Sequence, residues 1–483
     1  MLARHRRPVV SAGRRLGIAL AALVPLFAAP VIVAAHGIQE QYQSPLPLAV
    51  YLVGAALTVG LSFLFVLVRD VRAEPPPEDV QLIRVPAAVR ILLRAIGLIA
   101  WLWVVAQGVI GGNSDANVGT LFLWVYGWVG IAAVSALIGP VWEWLDPFAT
   151  LFDIGAAVVR RVGIGGWEPA ELPRLLDRWP AVAGYLFFVW LELIEGGGGD
   201  ILFAVLIAYT AFTLAMMAQY GRNTWRAHGE TFSVWFSLLG RLAPFATVQD
   251  EESDDPDAID DTVVKRRPFA SGLLDPGWTN ADVVFAAVGA GSILYDGLSQ
   301  TRPWFSLVGR PPLPEATLIM AIFLGIIVGA ALVVARMVSP SAIGAGLVPI
   351  SVGYLLAHYL TYLFVDGQRI LIAISDPFQQ GSNLFGTAFW VPTTFLPPGL
   401  IWTIQLAAVV GGHMLGAWAG HAMAVRDPGR DPGPEVAAER GRSRAGARGT
   451  GGRVPVRRDP RAREIPLAIV MVALTTLTLW SLG

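Results

Sequence analysis

The 483-residue chain contains no cysteine. That excludes disulfides, thiolate metal sites and cysteine nucleophiles. Lysine is almost missing as well: Lys265 is the single lysine among 35 basic residues. Charge is scarce, at 15% of residues, where a soluble chain of this size carries about 25%. No nucleophile elbow, zinc-protease helix or dinucleotide fingerprint stands in a fitting context. The GGGGD run at 196–200 lacks the lysine and the strand–helix setting of a phosphate cradle. Neither a nucleotide cofactor nor a nucleic-acid partner is therefore expected, and no soluble catalytic domain is found.

What fills the chain instead is apolar sequence: 54% hydrophobic residues and a mean hydropathy of +0.57. Runs long enough to cross a bilayer as helices fall at 16–35, 47–68, 91–111, 119–139, 180–195, 201–221, 282–300, 315–338, 346–374, 399–425 and 467–483. The fifth is short and ends in Glu192 and Glu195 beside the glycine run. The expected fold is an all-α polytopic transmembrane bundle of about 11 helices. It divides into a signal peptide or first helix (1–35), the bundle (36–425), a basic flexible linker (426–465) and a C-terminal helix (466–483). Alternating the spans from a cytoplasmic N-terminus puts 31 basic residues inside. Only Arg302, Arg310 and Arg369 fall outside. Basic residues resist translocation, so this orientation in a bacterial cytoplasmic membrane is the expected one. Two cytoplasmic loops read as amphipathic surface helices, PVWEWLDPFATLFDIGAAVVRRVG and TFSVWFSLLGRLAPF. The acidic run QDEESDDPDAIDD reads as disordered.

The N-terminal 36 residues admit two readings. Val33 and Ala35 fit a signal-peptidase site before His36, yet the apolar stretch is longer than an ordinary signal core. Cleavage would leave His36 as the N-terminus on the outer face, where amine and imidazole together suit copper. Without cleavage His36 is an ordinary histidine in a turn.

Ionisable groups at membrane depth are costly and mark a protein-lined site by default. Asp296, His358, His413 and His421 are such groups, and the polar Gln405 stands with them. His358 and His413 each stand 12 residues from the cytoplasmic end of their expected spans, about 18 Å deep. They form the candidate pair. His421 is eight residues further, about 12 Å along the axis, and belongs to the inner boundary. Gly412, Gly416 and Gly420 make a smooth stripe on which another helix can pack. Nearer the outer face stand Asp296, which has no local partner, and Asp366, which has Arg369 three residues on. Tyr295, Tyr359 and Tyr362 read as packing aromatics that could also orient these groups.

The segments AAHGIQEQYQSPLPLAVYLVGAALTVGLSF, LYDGLSQT, LLAHYLTYLFVDGQ, DPFQQGSNLFGTA and GGHMLGAWAGHAMA, in that order across 34–425, resemble a bacterial family of polytopic membrane proteins labelled fenitrothion hydrolase. The matching positions are His36, Asp296, His358, Gln405, His413 and His421. The family motif continues with an acid after its last histidine, whereas Ala422 follows His421 here. The label implies hydrolysis of an organophosphate triester.

Three functions follow as expectations. One is a transition-metal site for copper or zinc held by His36, Asp296, His358 and His413, since the donors are nitrogen and oxygen. Another is metal-assisted hydrolysis of an apolar ester or phosphotriester entering from the lipid, with Asp296 and His358 catalytic. The third is a proton-coupled transporter with His358 and His413 as its relay.

Overall fold

The computed structural model describes residues 82–110, 117–163, 168–195, 199–249, 262–378 and 380–426, with isolated positions at 53–61 and at 477. The expected spans 16–35, 47–68 and 467–483, the acidic run and the basic linker lie wholly or largely outside them, as does His36.

The described chain is mostly helical. Seven helices are long and apolar enough to cross a membrane: α1 (Ala87–Val109), α2 (Gly119–Leu137), α5 (Ile201–Tyr220), α7 (Asn280–Ser299), α8 (Leu313–Met337), α9 (Pro340–Phe364) and α10 (Pro398–Arg426). Between them lie α3 (Pro147–Arg161), α4 (Trp179–Trp190) and α6 (Thr231–Gly240). The expected fifth span is α4, which runs straight on into a π-helical turn, Leu191–Glu195.

Local chemistry sets several helix starts. Ser339 caps α9 through the Ala342 N–H, with Pro340 in the first turn where its missing N–H costs nothing. Thr279 and Asp282 form a reciprocal capping box at α7. Asp146 and Glu230 each accept two backbone N–H groups at the starts of α3 and α6.

The core is a sandwich of α7, α9 and α10. Ser351 on α9 donates to the Ala286 carbonyl of α7. α9 and α10 approach until backbone touches backbone: a Cβ on Gly353 would stand 2.5 Å from the Ala408 carbonyl oxygen, and one on Gly412 2.6 Å from that of Pro349. Glycine alone permits this spacing, as the small-residue stripe implied.

Three sequence expectations are corrected. The ninth span does not run unbroken over 346–374. α9 starts at Pro340 and ends at Phe364, followed by a 3₁₀ turn, Asp366–Gln368, and a short helix, Arg369–Ser375. The break is stabilised by the Gln368 amide, which donates to the carbonyls of Phe364 and Thr393, and by the Tyr126 hydroxyl on the Gly367 carbonyl. Second, TFSVWFSLLG is not a surface helix. α6 is buried on nearly all sides, and Trp235 stacks among Trp128, Tyr185 and Phe285 with ring centroids 4.9–6.1 Å apart. Its apolar residues go all round rather than along one stripe, which is the pattern of a core helix. Third, His358 and His413 are not level, as the site geometry shows. Three short strands accompany the helices: β1 (Leu82–Arg84), β2 (Phe245–Gln249) and β3 (Thr262–Arg266) form an antiparallel sheet in the order β1-β3-β2.

α3, by contrast, exposes Ile154, Val158 and Val162 beside Arg160 and Arg161 and buries only its first turn. Paired charges fix this end of the bundle. Asp153 binds both Arg94 and Arg222; Arg226 spans Asp146 at 2.7 Å and Glu143 at 2.8 Å; Arg178 holds Asp282 at 2.6 Å.

Candidate functional site

Two residues chosen by the cost of burying charge in a membrane meet. The Asp296 Oδ2 of α7 lies 2.7 Å from the His358 Nε2 of α9, with both side chains largely enclosed. A carboxylate accepts only, so Nε2 carries the hydrogen, and Nδ1 has no partner among the described residues. Asp296 Oδ1 accepts from the Gln300 amide at 2.8 Å, one turn further along α7. The Tyr359 hydroxyl stands 3.4 Å from Asp296 Oδ2 and 3.2 Å from the Oε1 of Glu192. Four groups from three helical segments thus form one chain: Glu192, Tyr359, Asp296, His358. Among the described residues no arginine or lysine pairs with either acid.

The site lies towards one end of the bundle. His358 is six residues, about 9 Å, from the end of α9. Asp296 is three residues from the end of α7. Glu192 lies in the π-helical turn Leu191–Glu195, and α2 contains a longer π-helix, Phe122–Gly130, that packs against α9. Such segments are frequent at functional sites because the wider turn re-aims side chains. No sequence signal announced either one.

His413 does not join His358. Ala357, beside His358, is level with Gln405, whose amide donates to its carbonyl at 2.8 Å. His413 is eight residues beyond Gln405, about 12 Å along the axis. Its two nitrogens are taken locally: Nδ1 faces the Val409 carbonyl at 2.8 Å and Nε2 the Tyr354 hydroxyl at 3.3 Å. The carbonyl only accepts, so Nδ1 carries the hydrogen and Nε2 accepts from the phenol. A fully buried, fully bonded imidazole of this kind is a packing element. The expected pairing fails because α9 starts at Pro340, six residues before the apolar run at 346, so His358 lies further along its helix than that run implies.

Gln405 braces α10 against α9 rather than facing the acids. Asp366 forms the surface bridge to Arg369 at 2.9 Å that its spacing suggested. His421 is buried near the far end of α10, and Tyr295 packs edge-on against Trp304 and Phe323. The expected metal set of His36, Asp296, His358 and His413 is not assembled by its described members: among the described residues no three His, Asp or Glu side chains gather as ligands.

No family model, curated protein or solved structure matches this chain.

Sequence reasoning missed Glu192, which stands at the frayed end of a short span and reads as its boundary. Tyr359 reads as a packing aromatic that could also orient these groups, and it does both, standing edge-on to His358 at 4.7 Å. The available signal was spacing: Glu192 precedes the glycine run by four residues, inside the apolar segment rather than beyond it.

Proposed function

We propose that this integral membrane protein is a proton-coupled transporter whose working centre is the Asp296–His358 pair. The observation that carries the reading is the 2.7 Å contact between Nε2 and Oδ2 of two neighbouring membrane helices. An imidazole held by a carboxylate takes and returns a proton at its other nitrogen with little reorganisation. Hydrogen-bonded acids and histidines facing a bundle interior are the usual material of proton relays in pumps and transporters. The reading carries with it a bacterial cytoplasmic membrane and a cytoplasmic N-terminus. Nitrogen-resolved NMR of histidine-labelled protein tests it. One imidazole signal, identified by its loss in His358→Ala, reports a hydrogen on Nε2 and moves in Asp296→Asn. A His358 signal that ignores Asp296→Asn contradicts the proposal.

The free Nδ1 of His358 supports a second reading. A carboxylate that holds one nitrogen of an imidazole commonly orients the other towards a metal. His358 and Glu192 are the donors present, short of the three protein ligands that even an open zinc site uses. Copper or zinc there would polarise a bound water, and the resemblance to the fenitrothion hydrolase family fits that chemistry. Stoichiometric metal in purified protein, lost in His358→Ala, supports this reading over the first. Turnover of a chromogenic phosphotriester that needs both Asp296 and His358 extends it to hydrolysis.

A further inference from the structure

We infer that Glu192 is a second proton-binding group, protonated at neutral pH, and that Tyr359 passes its proton to the Asp296–His358 pair. The purpose assigned to that proton rests on the proton-transfer reading above; the presence of the proton does not.

Hydrogens can be counted along the chain. The Tyr359 hydroxyl is within reach of two carboxyl oxygens, at 3.2 Å on Glu192 and 3.4 Å on Asp296. A phenol owns one hydrogen and serves one acceptor with it. Were both acids ionised, one of these contacts would set lone pair against lone pair. Asp296 already has two other donors, His358 on Oδ2 and Gln300 on Oδ1. Glu192 has no other donor among the described residues and no cationic partner, so ionised it would be an enclosed charge served by one neutral hydroxyl, a costly arrangement.

One added hydrogen on Glu192 resolves every contact. The Glu192 O–H donates to the Tyr359 oxygen, Tyr359 donates to Asp296 Oδ2, and His358 Nε2–H donates to the same carboxylate. Transfer is then a paired exchange. The Tyr359 O–H bond breaks as Asp296 gains that proton, and Tyr359 takes the proton of Glu192. Glu192 ends ionised, Asp296 protonated and the phenol unchanged. No other reactant is required. The titratable groups facing Glu192 are Asp296 from α7, Tyr359 and Tyr362 from α9, and Tyr185 from α4. α8, packed against the same turn, offers Thr317, which is bonded to Trp190.

Infrared difference spectroscopy of the reconstituted full chain at pH 7 tests the assignment. The wild type shows a protonated-carboxyl stretch worth one group per chain that is lost in Glu192→Gln. In Tyr359→Phe the carboxyl remains and its band moves to the position of a weaker hydrogen bond. A wild type and Glu192→Gln with the same carboxyl intensity overturn the inference. If Glu192→Gln does not fold, Tyr359→Phe decides alone, and a band it leaves in place overturns it equally. Neither readout depends on the His358 signal, so failure here is distinct from failure of the transport reading.

Discussion

At the scale of single residues, the two buried histidines make opposite demands. His358 is held by a charged partner and has one nitrogen free; His413 is closed on both sides by neutral groups. Replacing His413 by phenylalanine leaves the Val409 carbonyl and the Tyr354 hydroxyl to find new arrangements. It should lower thermal stability by about 1–3 kcal/mol and leave proton movement intact. His358→Ala should do the reverse, abolishing proton movement with little loss of folded protein. Melting curves and flux measured on the same preparations check both. Glu230, at the start of α6 and not part of any of the seven membrane-length helices, gives a pH prediction. Burial, and then the negative charge of Asp146, push its carboxyl above the usual range. The folded state thus keeps a proton that the unfolded chain has already released. The stability from this group is complete below the unfolded pKa and declines as pH rises from there to the folded one. The advantage of the wild type over Glu230→Gln should therefore grow as pH falls from 7 towards the carboxylate range, measured by thermal unfolding; an advantage constant with pH refutes it. Membrane cost picked out Asp296 and His358 in the sequence, because that cost depends on residue type and depth alone. It did not pair them, because pairing depends on where each helix begins.

At the scale of elements, helix ends and burial decided what the sequence reading got right. Hydropathy located the apolar cores of α1, α2, α5, α7, α8 and α10 to within a few residues. It missed the start of α9, where the informative signal was the Ser339–Pro340 cap rather than apolarity. It also took α6 for a surface helix, because the segment is short and lies in a charged loop, although its apolar residues run all round it. The two placements differ experimentally. Trp235→Ala removes a ring from the stack with Trp128, Tyr185 and Phe285 and should cost about 3–5 kcal/mol, as for other buried aromatics. A surface helix would tolerate the change. Gly412→Ala should destabilise by about 1–3 kcal/mol through overpacking, because the new methyl meets the backbone of α9 and not a movable side chain. Thermal melts of the two variants, with Ala417→Gly on the same helix for comparison, measure both effects.

At the scale of the whole molecule, the absence of cysteine is an experimental advantage. Single cysteines introduced into the otherwise thiol-free chain report sidedness without background. The charge distribution predicts that Arg161→Cys on α3 reacts with an impermeant maleimide only after the membrane is opened. Arg310→Cys, before α8, should react in intact spheroplasts; the opposite pattern inverts the topology. The bundle also explains why an acid–imidazole pair persists in so apolar a chain. α7 and α9 are locked by Ser351 and are closely packed, α10 closes on α9 through glycine, and the pair sits where their far ends meet. The most direct test of the account is proton flux into proteoliposomes holding a trapped pH dye. The interior is loaded with mixed monovalent and divalent cations, a pH step is applied and the membrane potential is clamped. Wild-type vesicles should acidify faster than protein-free ones, and Asp296→Asn and His358→Ala should each return the rate to the protein-free value. Wild type and both variants acidifying at one common rate would contradict it.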